Sequence, residues 1–511
     1  MKRCRHADNL CNLLKIKEIK MIVKEKNIFY DKFNVSRQER KNKKEMEKEK
    51  KQISESGLVK QIGLLDAVLF VMGSVLGSGI FMTSGHIIEY VGNEKWMFLI
   101  WLFGGLFTLC GGLCMSKLGV IYPKAGGPYV YLKEAYGRWA GFLFGWIFFW
   151  IIESGGIAAL SVGFTDHILN LAGIKNIILA KINFFSLLDI EINLSQIMAI
   201  LPILILSAIN NYGIKLAIFI QNISMFMRII LIIILVGCGY FILGKKGLIS
   251  LNQIDSIKVG SGFEGYFLAM LATLWTYDGW YAANCTAEEM KRPEKDLPRA
   301  IILGIAGITA IYLLVNSVYV FALKAENMAG KDRIGEIVSR IIFGDKAGPL
   351  ITTGIALVIF GCLCATIIYG PRVYFAMARD GVFFARLGKL NEKTRVPGQA
   401  IWIQACLSSV LCLLGKFQSL YEYVVFSLIV FFAGLGLAVF IEKRKLKNNR
   451  LDEKIKIESL VLLAASVFVL SCLIIYLSCF FWKTKEVLLG LIITLSGLPA
   501  YFYWKKKEKI R

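Results

Sequence analysis

Two long apolar stretches are interrupted near their centres by glycine and polar residues, and these interruptions limit the folds open to the chain. The first runs from about Ile62 to Tyr90 and carries Gly73 and then Gly77-Ser78-Gly79-Ile80-Phe81; the second runs from about Phe263 to Thr286 and carries Tyr277-Asp278-Gly279-Trp280. Either is long enough to cross a hydrocarbon core about 30 Å thick, which takes about 20 helical residues. Unwound backbone survives at that depth only where protein or a cavity encloses it, because lipid cannot hydrogen-bond a bare N–H or C=O. A matched pair of Gly-broken spans, each opening a five-helix half, points to a solute site near the midplane.

The rest of the chain agrees. Its 511 residues are 56% apolar and only 19% charged. Apolar runs near 62–90, 96–118, 139–170, 195–211, 217–243, 263–286, 299–323, 347–377, 399–415, 420–441, 457–478 and 487–504 predict an all-α polytopic membrane protein with twelve transmembrane helices, its first and sixth broken.

The net charge of +23 could suggest a nucleic-acid partner, but the basic residues sit in short segments between apolar runs, the ordinary topology signal. Lys117, Lys124, Lys133 and Arg138, the loops Lys291 to Arg299 and Arg372 to Arg395, Lys443-Arg444-Lys445 and the 505–511 tail all fall on one side if both termini are cytoplasmic. The expected location is the cytoplasmic membrane, with the lipid bilayer as partner and no nucleic acid. Residues 1–58 are rich in Lys and Glu and lack a signal peptide's apolar core, so they are expected to form a cytosolic extension. Met46 is an alternative translation start.

Most of the twelve cysteines, including Cys110, Cys114, Cys362 and Cys364, lie in apolar runs, where a thiol serves as a small hydrophobe. Cys362-Leu363-Cys364, His86 and His167 form no metal-ligand spacing, and no Ser/His/Asp grouping suggests hydrolysis. The expectation is a protein that is not an enzyme and uses no metal or cofactor.

The breaks themselves have chemistry. An unwound Gly77-Ser78-Gly79 leaves N–H groups at the start of a half-helix, whose positive dipole end favours a carboxylate. The break at Tyr277-Asp278-Gly279 frees carbonyls at the end of a half-helix, where an ammonium is favoured. Together they suit a zwitterion such as an α-amino acid. Glycines can instead simply allow helices to pack closely; that is the expectation for Gly104-Gly105 and Gly111-Gly112, and the site reading is kept for Gly77-Ser78-Gly79.

Several motifs carry a family resemblance, in this order: Gly77-Ser78-Gly79-Ile80-Phe81; Tyr122-Pro123-Lys124-Ala125-Gly126-Gly127-Pro128-Tyr129; Trp275-Thr276-Tyr277-Asp278-Gly279-Trp280; Glu288-Glu289-Met290-Lys291-Arg292-Pro293; Asp296-Leu297-Pro298-Arg299; and Arg372 to Gly381 followed by Val396-Pro397. The chain resembles the amino acid, polyamine and organocation (APC) transporter superfamily, and within it bacterial relatives of the L-type amino acid transporters. The resemblance implies two inverted five-helix repeats (59–245 and 262–442), peripheral helices over 457–504, and alternating access. It also implies an amino acid substrate. Ser78 and Gly79 would offer N–H groups to its carboxylate; Val75, Trp275, Thr276 and Asp278 would turn carbonyls toward its amine; and Trp275 would be the gate that closes over it.

Two ionisable groups lie within predicted spans, where charge is expensive and defaults to function. Arg228 replaces the Lys common in relatives, a fixed cation in place of a sodium ion, which implies sodium-independent transport; the alternative is that Arg228 snorkels to the surface. Glu153 departs from the amide-type residue usual in similar bacterial sequences; it couples a proton, favours a cationic side chain, or is a neutral Glu hydrogen-bonded within the bundle. The Asp278 side chain is expected to cap the following half-helix. The loop with Glu288, Glu289 and Asp296 to Arg299, joined by Arg372, Arg379 and Asp380, either forms a cytoplasmic salt-bridge gate or is solvated. Ile157 and Thr366 are candidate pocket-lining positions. The loop from Leu171 to Glu191 has no Cys, so no covalently attached heavy subunit is expected. Exchange and proton symport stay open as coupling modes, and a polyamine or cationic amino acid antiporter is the alternative function.

Overall fold

The computed structural model describes residue 54 and residues 56–184, 188–245, 262–331, 333–344, 348–414, 417–448 and 456–510. The chain divides into two units, Met1–Val59 and Lys60–Arg511. The expected extension over 1–58 and the alternative start at Met46 fall almost entirely outside the described residues. All described helices lie in the second unit.

The first broken stretch is α1 (Leu64–Val75) and α2 (Gly79–Val91), with a 49° bend at the break. The Gly63 N–H donates to Asp66 Oδ2 at 2.9 Å, capping the start of α1. Gly92 ends α2 with φ +65°, the left-handed stop that glycine adopts without strain. Helix α3 (Glu94–Ile121) follows, its first turn capped by the Asn93 side chain. The glycines at Gly126 and Gly127, both with positive φ, turn the chain into the short α4 (Pro128–Tyr136). Helix α5 (Arg138–Ile147) runs through one π-helical turn, Phe148–Ile152, into α6 (Glu153–Leu171).

An antiparallel hairpin comes next: β1 (Ile178–Phe184) paired with β2 (Leu188–Asn193), with Lys181 opposite Glu191. This corrects the all-α expectation. Asp189-Ile190-Glu191-Ile192-Asn193 alternates polar and apolar residues with the two-residue period of a strand. Helices α7 (Leu194–Met198), α8 (Ile200–Asn211) and α9 (Ile214–Lys245) complete this part of the chain.

The second broken stretch is less symmetric than expected. Helix α10 (Phe263–Thr276) ends at the break, and beyond it stand only α11 (Ala282–Cys285) and a 3-10 turn, Ala287–Glu289. Then come α12 (Pro293–Ala322), α13 (Ala325–Met328), α14 (Ile334–Phe343) and α15 (Gly348–Arg379). The last helices are α16 (Gly398–Leu413), α17 (Phe417–Asn448), α18 (Ser459–Trp482), α19 (Thr484–Leu495) and α20 (Gly497–Ile510).

Helical structure occupies each of the twelve predicted stretches. Among the described residues, eight helices are long and apolar enough to cross a membrane, or nine with the bent α1–α2 pair counted as one. Helix α12 packs along α3 and α1, and α15 along α6 and α9. The α3 glycines do allow close packing: a Cβ at Gly104, Gly105, Gly111 or Gly112 would collide with Thr273, Thr309, Phe468 or Ile301 respectively. This packing sets α3 against α10, α12 and α18.

Candidate functional site

The two interruptions touch. Gly279 has φ +92°, and a Cβ there would lie 2.7 Å from the Ser74 carbonyl oxygen, so both backbone conformation and space require glycine. The Ser74 hydroxyl donates to the Gly279 carbonyl at 2.9 Å. Gly79 is pressed against Thr276, whose Cγ2 would stand 2.7 Å from an added Cβ. Thr276 Oγ1 is also 3.1 Å from Thr83 Oγ1, and the Thr83 hydroxyl donates to the Gly79 carbonyl at 2.9 Å.

From α12, the Tyr312 hydroxyl reaches the last carbonyls of both half-helices, at 3.0 Å from Val75 O and 3.0 Å from Thr276 O. Tyr312 is fully buried, and its ring packs against Trp101 and Tyr277 at centroid distances of 5.1 and 5.0 Å. Sequence reasoning missed it. The available signal was a phenol in the middle of an apolar span, since a buried tyrosine usually finds a partner for its hydroxyl.

A cavity of about 500 Å³ opens at this junction. Val75, Gly77, Ser78, Gly79, Trp275, Thr276 and Asp278 all line it, so the structure gathers every residue proposed for substrate contact at one place. Glu153 from α6 and Thr366 from α15 also line it. Trp275 is 38% exposed, so its indole faces open space rather than being packed away. Ile157 does not line the cavity; it is fully buried in a separate apolar cluster with Ala158, Ile203 and Leu363. The short helix after the second break has Tyr281, not Asp278, at its N-cap. Ser74 and Tyr369 are further lining residues that the sequence did not single out, and Cys362, read there as a small hydrophobe, lines the cavity too.

Chemically, the junction offers opposite poles. The first N–H groups of α2 have no intrahelical partner and lie at its positive dipole end, facing the cavity from Ser78 and Gly79. The last carbonyls of α1 and α10 lie beside them at negative ends.

Arg228 stands behind α1 rather than in the cavity. It is fully buried, so it does not snorkel. Its Nη1 donates to Gly73 O at 2.9 Å and Leu76 O at 2.8 Å, two carbonyls left open where α1 unwinds. Its Nε donates to Ser224 O at 3.3 Å. The guanidinium thus serves as a fixed cation for the end of α1.

At its mouth the cavity is lined by Asp166, His167, Arg333 and Glu336, and the Arg333 side chain is 66% exposed. The region around Glu289 is sealed. Arg372 and Glu289 form an ion pair with side chains 0% and 1% exposed, and the backbone N–H groups of Gln61 and Ile62 both donate to the Glu289 carbonyl, at 2.9 and 3.0 Å. Asp380 accepts from Tyr129 Oη at 2.7 Å and Lys133 Nζ at 2.8 Å. Burial, followed by the nearby Asp380 carboxylate, raises the Tyr129 hydroxyl well above its ordinary pKa, which keeps it a donor. Glu288 accepts from the Ala125 N–H at 2.9 Å. Of the other charges in these loops, Asp296 pairs with Arg292 at 3.2 Å, and Arg379 lies over the Phe375 ring.

The π turn sets the direction of Glu153. One such turn carries an extra residue and re-phases the helix beyond it, a distortion frequent at functional sites. Glu153 is the first residue past the turn and is 2% exposed, and its Oε1 has no hydrogen-bond partner. Tyr369 donates a side-chain hydrogen bond to the Glu153 carboxyl group, so Glu153 is bonded within the bundle at one point while Oε1 is left over.

Known proteins share this sequence over nearly its whole length. The family model described as "Amino acid permease" matches residues 62–497. The chain is 32% identical over 464 residues to the serine/threonine exchanger SteT of Bacillus subtilis, covering 89% of this chain and 99% of that one. It is 28% identical to the human large neutral amino acids transporter small subunit 2 (88% of this chain, 82% of that one) and 26% identical to the human b(0,+)-type amino acid transporter 1 (88% of each). With two glycine-broken helices meeting at a midchain cavity and a family match across that whole region, the chain belongs to the amino acid permease family of the APC superfamily.

Proposed function

We propose that this protein is a sodium-independent amino acid exchanger of the cytoplasmic membrane that works by alternating access. The observation that carries the reading is the cavity itself: the amide end of α2 and the carbonyl ends of α1 and α10 face one space, the arrangement a zwitterion requires. In this reading Ser78 and Gly79 hold the carboxylate. Val75, Trp275, Thr276 and Asp278 turn carbonyls toward the amine, and Trp275 closes over the bound amino acid.

The reading takes the bundle as twelve spans, with inverted repeats at 59–245 and 262–442, peripheral helices at 457–504, and both termini cytoplasmic. The Arg372–Glu289 pair then closes the cytoplasmic side while the cavity opens outward. Substrate binding brings Trp275 and the mouth together, the pair separates, and the site opens inward. Arg228 supports sodium independence, because a guanidinium already occupies the carbonyls where α1 unwinds and cannot leave with the substrate. No covalently attached heavy subunit is part of the proposal.

Proton symport is a second reading, favoured by the partnerless Glu153 oxygen beside the cavity. Proteoliposomes separate the two. Labelled amino acid uptake that requires internal amino acid, and is unchanged when sodium is replaced by choline, supports exchange. Uptake into empty vesicles under an inward proton gradient supports symport. Failure to move any amino acid, with the protein shown to be folded, rejects both.

A further inference from the structure

The cavity has an imbalance of charge that recognition of an α-amino and α-carboxyl group does not require. Among the described residues, four acidic side chains line it, from Glu153, Asp166, Asp278 and Glu336, against Arg333 and His167. At the mouth these charges are partnered: Glu336 pairs with Arg340 at 2.7 Å and Arg333 at 3.7 Å, and Asp166 accepts from Asn176 at 3.0 Å. Deeper stands Glu153, and the nearby cation Arg228 is committed to the carbonyls of Gly73 and Leu76.

Glu153 differs from a merely buried acid. Its side chain is more than nine-tenths buried and lines the cavity just after the π turn; Tyr369 supplies one hydrogen bond to the carboxyl group, and Oε1 keeps none. Behind it lies Gln404 of α16, with neither amide atom bonded; a Cβ on Gly370 would meet both Glu153 Cγ and Gln404 Oε1. Buried acceptors without donors are costly, and a site that leaves them so in the empty state is completed by what it binds.

We propose that Glu153 receives the side chain of the transported amino acid, and that the preferred substrates end in a multi-donor cation, an ammonium or guanidinium of the lysine or arginine class. The proposal rests on the amino acid reading above and narrows it. A cationic end group supplies charge and several N–H donors together. An apolar side chain leaves Oε1 without a donor, which is how a polar site rejects an analogue lacking the donor.

The test is competition in proteoliposomes holding the full-length protein, with labelled arginine against unlabelled lysine, glutamine, serine and leucine. Lysine should compete at least tenfold better than the three neutral amino acids. Glu153→Gln should lower the arginine-to-glutamine transport ratio at least tenfold, and Glu153→Asp, which keeps the charge, should retain the cationic preference. Equal or better competition by a neutral amino acid overturns the proposal, and so does an unchanged ratio in Glu153→Gln. If that variant is inactive toward every substrate, competition on the unaltered protein still decides. Transport of serine or leucine without arginine defeats this inference and leaves the exchanger reading standing, whereas no amino acid transport at all defeats the exchanger reading.

Discussion

Arg372 and Glu289 meet in a two-point ion pair, Nε to Oε2 at 2.9 Å and Nη2 to Oε1 at 3.0 Å, with both side chains shut away from solvent. The planar fork of arginine fits a carboxylate in a way a lysine ammonium cannot. Removing one partner leaves the other as a buried, uncompensated charge, at a cost of about 3–5 kcal/mol. Glu289→Gln and Arg372→Lys are therefore expected to lower the melting temperature of the detergent-solubilised protein and to reduce exchange at least tenfold. The double change Arg372→Glu with Glu289→Arg should recover part of the stability. Thermal unfolding of the three variants checks this, and an unaltered melting temperature in both single variants would count against a closing role.

Arg228 is the partner of two carbonyls left open at the α1 break, that of Gly73 in α1 and that of the connecting Leu76. Arg228→Ala strands both oxygens in the bundle, so transport is expected to fall below a tenth while protein remains in the membrane. Arg228→Lys restores a cation but loses the fork, and should sit between the two. Initial rates measured with sodium, potassium or choline outside should agree for the unaltered protein.

Gly79 and Thr276 are in contact across the two breaks, leaving no room for a methyl group. Gly79→Ala is expected to abolish exchange, because the α2 amide end must shift away from the carbonyls it faces. Thr276→Ala removes Oγ1 and Cγ2, the two closest atoms, so Gly79→Ala with Thr276→Ala should regain measurable transport. A double-mutant cycle on substrate affinity reads this coupling. Strictly additive losses would show that the contact is incidental.

Tyr312 ties α12 to both half-helices through one hydroxyl. Tyr312→Phe keeps the ring and its packing against Trp101 and Tyr277 while removing the bond. The expected result is a near-normal melting temperature with substrate affinity weakened about tenfold, equivalent to about 1.4 kcal/mol, within the range for one buried hydrogen bond. Equilibrium binding of labelled substrate would reveal it, and an unchanged affinity would make the hydroxyl purely structural.

Much of the architecture was legible because lipid imposes a simple rule: long apolar runs become helices, and glycine in their midst stands out. Gly77-Ser78-Gly79 and Gly279 announced the breaks, and all seven residues expected at the substrate meet at the cavity. Tyr312 was not legible, because nothing along α12 reveals which of its side chains faces a break made by two distant segments. Ile157 was misplaced as a lining residue for a related reason. A π turn at Phe148–Ile152 shifts the phase of every position after it, and a uniform helical period cannot follow that shift. The hairpin at Ile178–Asn193 did carry its alternating pattern, which the length of the neighbouring apolar runs obscured.

The phenol of Tyr312 brings one hydrogen to two oxygens. It cannot complete both bonds at full strength, and Val75 O also accepts from the Gly77 N–H at 2.8 Å, so the oxygen left short of a donor is that of Thr276. An ammonium arrives with three hydrogens. The Thr276 oxygen that Tyr312 draws into register is thus left hungry for donors, and what makes the junction receptive to an amine is a shortage of hydrogens as much as any fit of shape.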